Sequence, residues 1–315
     1  MQRLKRERGA VAVIVALLMV PLIGFVAVSV DVAALWAERQ QLQTGADAGA
    51  LAIAQDCARN NCQVPSQTAQ TLAAVNVNDG QATAVVTPAG LSPASGLVTV
   101  RTSAIRNHVF APLLGIKQST VTTTATAAWG SPDGGTALPL TFSWCEFSAQ
   151  TGGGLPSGTT ERTILFTKNS GTTCTGPSNN AVPGGFAWLT VNSGTCSTTS
   201  SIAQTLWSST GASVPSGCTT ADMQALQNKT VLLPIFDQAA DSGSNASYHV
   251  YGYAAFKLTG YNFPSKAYTW NASGCTSPSR DCVKGYFTQF VDLAAAFDYS
   301  PDAPHLGAAV VSLTK

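Results

Sequence analysis

Charge is scarce in this chain. Only 10% of its 315 residues are Asp, Glu, Lys or Arg, against roughly 25% in an average soluble domain. Neither charge-laced helical bundles nor charge-rich disorder can be built from so few ionic groups. Seventeen basic residues face sixteen acidic ones, a formal net charge of +1. No surplus of Lys and Arg is left to neutralise phosphates, which argues against a nucleic-acid partner. Histidine is scarcer still: His108, His249 and His305 are the only three. The eight cysteines form no CxxC pair and have no histidine nearby, so a zinc site is not expected. The G-x-S-x-G string of a nucleophile elbow is missing, and the glycine-rich TGGGLPSG at 151–158 lacks the lysine of a phosphate loop.

What is present begins with a long apolar run. Residues 10–30, AVAVIVALLMVPLIGFVAVSV, carry no charge. At 1.5 Å per residue they span about 31 Å as a helix, the thickness of a bilayer's hydrocarbon core. The run exceeds the 7–15 apolar residues of a typical signal peptide, so an uncleaved anchor is expected. Pro21 predicts a local kink, which membranes tolerate. Arg3, Lys5, Arg6 and Arg8 precede the span, whereas Asp31, Glu38 and Arg39 follow it. The positive-inside rule then puts residues 1–9 in the cytoplasm and the rest outside.

The helical pattern continues beyond the membrane. In residues 31–56 no proline interrupts, and Val28, Leu35 and Leu42 fall seven apart. Val32, Ala46 and Ile53 fill the same side, with Glu38, Gln41 and Gln43 placed elsewhere. This predicts one helix over about 10–56, its outer half a stalk rich in Ala and Gly. Such a stalk packs either on its own domain or against another subunit, and the pattern allows both.

The block from Arg6 to Ala54 resembles the N-terminal segment of TadE/TadG-like Flp pilus-assembly proteins. The resemblance rests on Gly9 after basic residues, an apolar span ended by Asp31, then Leu42-Gln43 and Asp47-Ala48 opening a small-residue run. Cleaved pilins and TadE-type pseudopilins are similar in having Gly followed, at the fifth position, by Glu; here that position is Ile14. The chain therefore resembles the TadG-like branch, which implies a membrane-held accessory rather than a processed fibre subunit, with other Tad components or pilins as partners. The stretch 101–127 is also similar to the small α+β module that follows the anchor in TadG-like proteins.

The remainder is expected to be α+β overall. Residues 67–80 predict a helix ending at the Asn78-Asp79-Gly80 turn. Strands are expected at 82–87, 97–106 and 119–129, rich in Val and Thr. The Gly-rich 130–137 reads as a linker or tight turn. Beyond it strands are expected at 138–144, 162–167, 185–191, 229–236, 248–263, 285–294 and 308–313. One helix is expected at 219–228, with Thr220 as its N-cap. The resulting organisation is a cytoplasmic 1–9, an anchor and stalk at 10–58, a small α+β module at 59–130 and a β-rich extracytoplasmic domain at 131–315. An even cysteine count in Gly/Ser/Thr-rich surroundings suggests disulfides in an oxidising compartment. Pairing by shortest loops gives Cys57–Cys62, Cys145–Cys174, Cys196–Cys218 and Cys275–Cys282, one of 105 connectivities.

Chemistry-bearing groups are few. Asp237, His249 and either Ser242 or Ser244 are the available parts of a hydrolytic triad, though ADSGSN reads more simply as a solvated turn. Asp237, Asp298 and Asp302 are oxygen ligands that calcium could use, but scattered acids among turn residues are common. Eight aromatic residues crowd into 248–270, from Tyr248 to Trp270. They suit either a sheet core or a patch that binds sugar or protein. The reading that joins these features is a bitopic, non-enzymatic Tad/Flp pilus-assembly accessory, minor pilin-like or scaffolding, without metal or cofactor. The alternative is a membrane-anchored adhesin or carbohydrate-binding module.

Overall fold

A computed structural model describes residues 3–208, 210–241, 243–275, 280–292 and 297–314. Helix α1 runs unbroken over Arg3–Ala58, carrying Pro21 inside it. Residues 11–26 are exposed all round, and the helix is long and apolar enough to cross a membrane. Helix α2, Pro65–Asn76, starts on the proline that suits a first helical turn. It stops four residues earlier than expected. Gly80 turns at φ +68 and Asp79 Oδ1 accepts from Gln81 N at 3.0 Å, so residues 77–80 form the exit turn.

Strands β1 (Thr83–Thr87), β2 (Leu97–Asn107) and β3 (Gln118–Ala137) follow as an antiparallel meander. The last is the main departure from expectation: 130–137 is no linker but the second half of a 20-residue strand. Close approach explains it. A Cβ on Gly130 would stand 2.9 Å from Ser300 O, and one on Gly134 3.3 Å from Ser200 O. Glycine therefore lets two further strands lie against β3.

Next come β4 (Leu140–Ser143), α3 (Trp144–Thr151), β5 (Arg162–Leu165), α4 (Thr167–Ser170), β6 (Thr173–Thr175), β7 (Ala181–Pro183) and β8 (Phe186–Trp188). Helix α3 falls partly in a predicted strand. Ser143 caps it, its hydroxyl accepting from Cys145 N. After β9 (Thr198–Ser201) and β10 (Thr205–Trp207) comes α5 (Thr220–Ala225), capped by Thr219 rather than Thr220 through a capping box with Asp222. The chain ends with β11 (Thr230–Ala240), β12 (Ser247–Phe263), β13 (Tyr268–Trp270), β14 (Cys282–Thr288), β15 (Phe290–Asp292), β16 (Phe297–Ser300) and β17 (Ala308–Thr314).

Two larger sheets result. One has the order β1-β2-β3-β17-β15, with β16 and β9 pairing to β3; the other runs β5-β14-β12-β11-β4-β8, with β10 and β13 on β12. The C-terminal strand thus lies beside residues 126–130 of β3. The first sheet buries Val98, Val100, Ala127 and Val311 against Ala46, Ala50 and Ile53 of α1. The second has an aromatic core that includes Phe142, Phe147, Trp188, Phe236, Tyr253, Phe256 and Phe287, all fully buried. Cys57–Cys62, Cys145–Cys174, Cys196–Cys218 and Cys275–Cys282 stand at disulfide distance. The architecture is α+β: a long apolar helix followed by a β-rich body.

Candidate functional site

Apart from Gly9, the residues that carry the pilus-assembly resemblance lie at the junction between α1 and the first sheet. Asp31 ends the uncharged run and is buried. One carboxylate oxygen accepts from Val109 N at 2.8 Å, the other from Phe110 N at 2.9 Å and Ala111 N at 2.6 Å. These donors open the turn that joins β2 to β3, so Asp31 fixes that turn to the helix. Two turns further along, Glu38 points at Arg106 of β2, 3.6 Å away. Glu38 is a correction to the periodic reading, which set it off the apolar side: it is buried, whereas Val28 and Val32 remain exposed. The buried line through Asp31, Glu38 and Leu42 is a face of mixed chemistry, and apolar periodicity alone passes over its acids.

Leu42 is fully buried among Ala73, Val77, Ala82 and Ala104. Its carbonyl accepts from Thr102 Oγ1 at 3.0 Å, and Thr102 pairs in turn with Thr123 at 2.8 Å. Gln43 donates to Asp47 Oδ1 at 2.8 Å and to Thr124 O at 3.4 Å. Gly45 and Gly49 bring α1 against α2. A Cβ at Gly45 would stand 3.1 Å from Ala73 Cα, one at Gly49 3.5 Å from Ala69 Cα. Gly9 lies within α1. Of the two packing partners the pattern allowed for the stalk, residues 31–58 use the chain's own module. Thr102, Arg106 and the amides of 109–111 could not be found from the helix's sequence, because they lie sixty or more residues away.

Among the described residues, the other candidates do not converge on a reaction centre. Asp237 is fully buried and accepts from His249 Nδ1 at 2.8 Å and from the Ser178 hydroxyl. In a nucleophilic triad the hydroxyl meets the imidazole; here hydroxyl and imidazole both meet the carboxylate. Ser244 lies in a short turn at Gly243–Asn245, and Ser242 lies outside the described residues. Asp298 and Asp302 are exposed, and no metal-holding group of His, Cys, Asp or Glu occurs among the described residues. His108 bonds Ser119 at 2.8 Å at the foot of the β2–β3 turn. His305 sits against Ser131 Oγ at 3.2 Å beside a cleft of about 270 Å³ that Trp129 and Pro301 also line. His305 keeps an exposed edge, but the atoms crowded about its ring partly desolvate it and lower its pKa below the usual histidine value. The aromatic crowd is mainly core: Tyr248, Tyr253, Phe256, Tyr261 and Phe263 are buried, and Tyr261 stacks on Phe263 at 5.5 Å.

Residues 9–56 match the model of the Tad family, TadE/G-like Flp pilus-assembly proteins. The match covers α1 from Gly9 nearly to its end and does not separate the TadE-like from the TadG-like branch. No curated protein matches the chain, and no solved structure does. The Tad segment supports a role connected with pilus assembly.

Proposed function

We propose that this chain is a membrane-held accessory of a Tad-type pilus-assembly machine, a scaffold rather than a processed fibre subunit. Residues 10–30 anchor it with residues 1–9 inside, and the β-rich body stands outside the membrane as a disulfide-bonded platform for other Tad components or pilins. No catalytic step is assigned to it. One observation carries the reading. Three polar residues of the matched segment, Asp31, Glu38 and Gln43, reach residues of the first sheet and its turn and join the anchor to its own body, while Asp47 holds the Gln43 side chain from within the helix. A helix used this way delivers a rigid body to the membrane surface and leaves residues 11–26 bare for the bilayer or another span.

In-frame deletion in the native host is expected to reduce surface pili, with restoration by the intact gene. Unchanged piliation refutes the assembly role. A C-terminal alkaline phosphatase fusion is expected to be active; an inactive fusion beside an active cytoplasmic reporter refutes the orientation.

A further inference from the structure

The turn between β2 and β3, residues 108–117, is unusually apolar for an exposed hairpin tip. It reads HVFAPLLGIK and forms a short 3-10 turn at Ala111–Leu114. Leu113 is 87% exposed, Val109 66% and Ile116 54%. Phe110 and Leu113 face Pro21, Gly24, Phe25 and Val28 of α1 across a cleft of about 360 Å³. Those helix residues precede Asp31 by three to ten positions, which sets them about 5–15 Å along the axis toward the cytoplasmic end. They lie inside the uncharged run. Whatever medium surrounds them also surrounds the tip.

We propose that residues 109–116 form a second membrane element, a wedge immersed in the outer leaflet, with lipid acyl chains filling the cleft between tip and anchor. The proposal rests on the reading of residues 10–30 as a membrane span. Backbone chemistry limits the depth, since the hydrocarbon core does not admit lipid-exposed irregular backbone; the tip therefore sits at the interfacial edge of the leaflet, with its amides largely paired within the chain. The amides of Val109, Phe110 and Ala111 donate to Asp31. Those of Leu113, Gly115 and Ile116 donate to Phe110 O, Pro112 O and Ala111 O, and His108 N donates to Lys117 O. Pro112 has no amide hydrogen to satisfy. Asp31 therefore does more than end the span: it satisfies three amides of the tip that lipid could not. Polar and amphipathic side chains gather where the tip leaves the leaflet. His108 and exposed Lys117 flank it, and Trp36, 64% exposed, stands about 7 Å above Asp31 at the level where tryptophan favours the interface. A single helix can rotate about its axis and tilt freely. A second immersed point, offset from it, fixes which face of the body looks along the membrane.

The test uses the full chain reconstituted into phosphatidylethanolamine–phosphatidylglycerol vesicles, with a diazirine amino acid placed singly at position 113, 25 or 85. Position 85 is 61% exposed on β1 and serves as the aqueous control. After irradiation, mass spectrometry is expected to find lipid adducts at 25 and 113 in comparable yield, and less than about a tenth of that at 85. Adducts at 25 but not at 113 overturn the wedge and leave the anchor standing. Adducts at neither overturn both. Crosslinking of position 113 to a second copy of the chain, instead of to lipid, also overturns the proposal.

Discussion

Leu42→Ala separates a stalk packed on its own module from a stalk kept free for other subunits. Leu42 is fully buried, and its neighbours Ala73, Ala82 and Ala104 are too small to fill the space a leucine leaves. Val77 at the rim permits partial collapse. Large-to-small substitutions of this kind cost about 2.7–5 kcal/mol, and a small cluster near the surface belongs at the lower end, about 3 kcal/mol. At roughly 2–3 °C per kcal/mol for a body of this size, the apparent unfolding midpoint of the full chain in detergent should fall by about 6–9 °C. Val32→Ala is the control. Val32 belongs to the same heptad side but is 54% exposed, so its loss should stay within about 0.5 kcal/mol. Circular dichroism during a thermal scan reads both. A Leu42→Ala midpoint within 1 °C of wild type, or a Val32→Ala loss of equal size, would refute the packing argument.

Three other outcomes follow from the same structure. Gly49→Ala meets only ordinary contact at 3.5 Å and should stabilise by up to about 1 kcal/mol through helix propensity, whereas Gly45→Leu drives a side chain into the α2 backbone from a Cβ at 3.1 Å and should destabilise; chemical denaturation in detergent ranks the two. Removing the Cys145–Cys174 link, 29 residues apart, as the double serine variant should lower stability by about 3–4 kcal/mol through regained loop entropy, measured the same way. Burial pushes the Asp281 carboxyl up to about 6, so the folded chain holds that proton more tightly than the unfolded one. Its contribution is present below about pH 4 and lost as pH rises toward 6, and a stability–pH profile of Asp281→Asn should lack that decline.

Of the helix over residues 3–58, the stretch 10–56 was legible because uncharged length and small-residue spacing are local properties. The partners of Asp31, Glu38 and Leu42 were not. They come from β2 and the turn after it, and only the folded sheet brings Thr102, Arg106 and the amides of 109–111 to the helix. Glu38 was assigned to the wrong side for the same reason, since periodicity sorts residues by polarity and a buried carboxylate that meets a half-exposed arginine defeats that rule. The strand through 130–137 was hidden by its glycines, which read as a turn until their crowded neighbours on β9 and β16 are known. The strand expected at 138–144 stops before Trp144, because the cap at Ser143 starts a helix there that buries Phe147.

The central claim is that the chain stays in the membrane as an unprocessed accessory. At the fifth position after Gly9 stands Ile14, so a subunit cut there would carry a new amino group at Ala10 with no carboxylate partner beside it in the apolar run. An unpaired charge costs roughly 2.5–3.5 kcal/mol near mid-bilayer and less at the interface, where Ala10 opens the run. Arg3, Lys5, Arg6 and Arg8, if retained, instead hold the orientation. N-terminal sequencing of the protein purified from the membrane fraction, set beside sheared fibres, tests this directly. The account predicts a chain in the membrane fraction that keeps the residues before Ala10; a chain beginning at Ala10 and recovered in the fibres would contradict it.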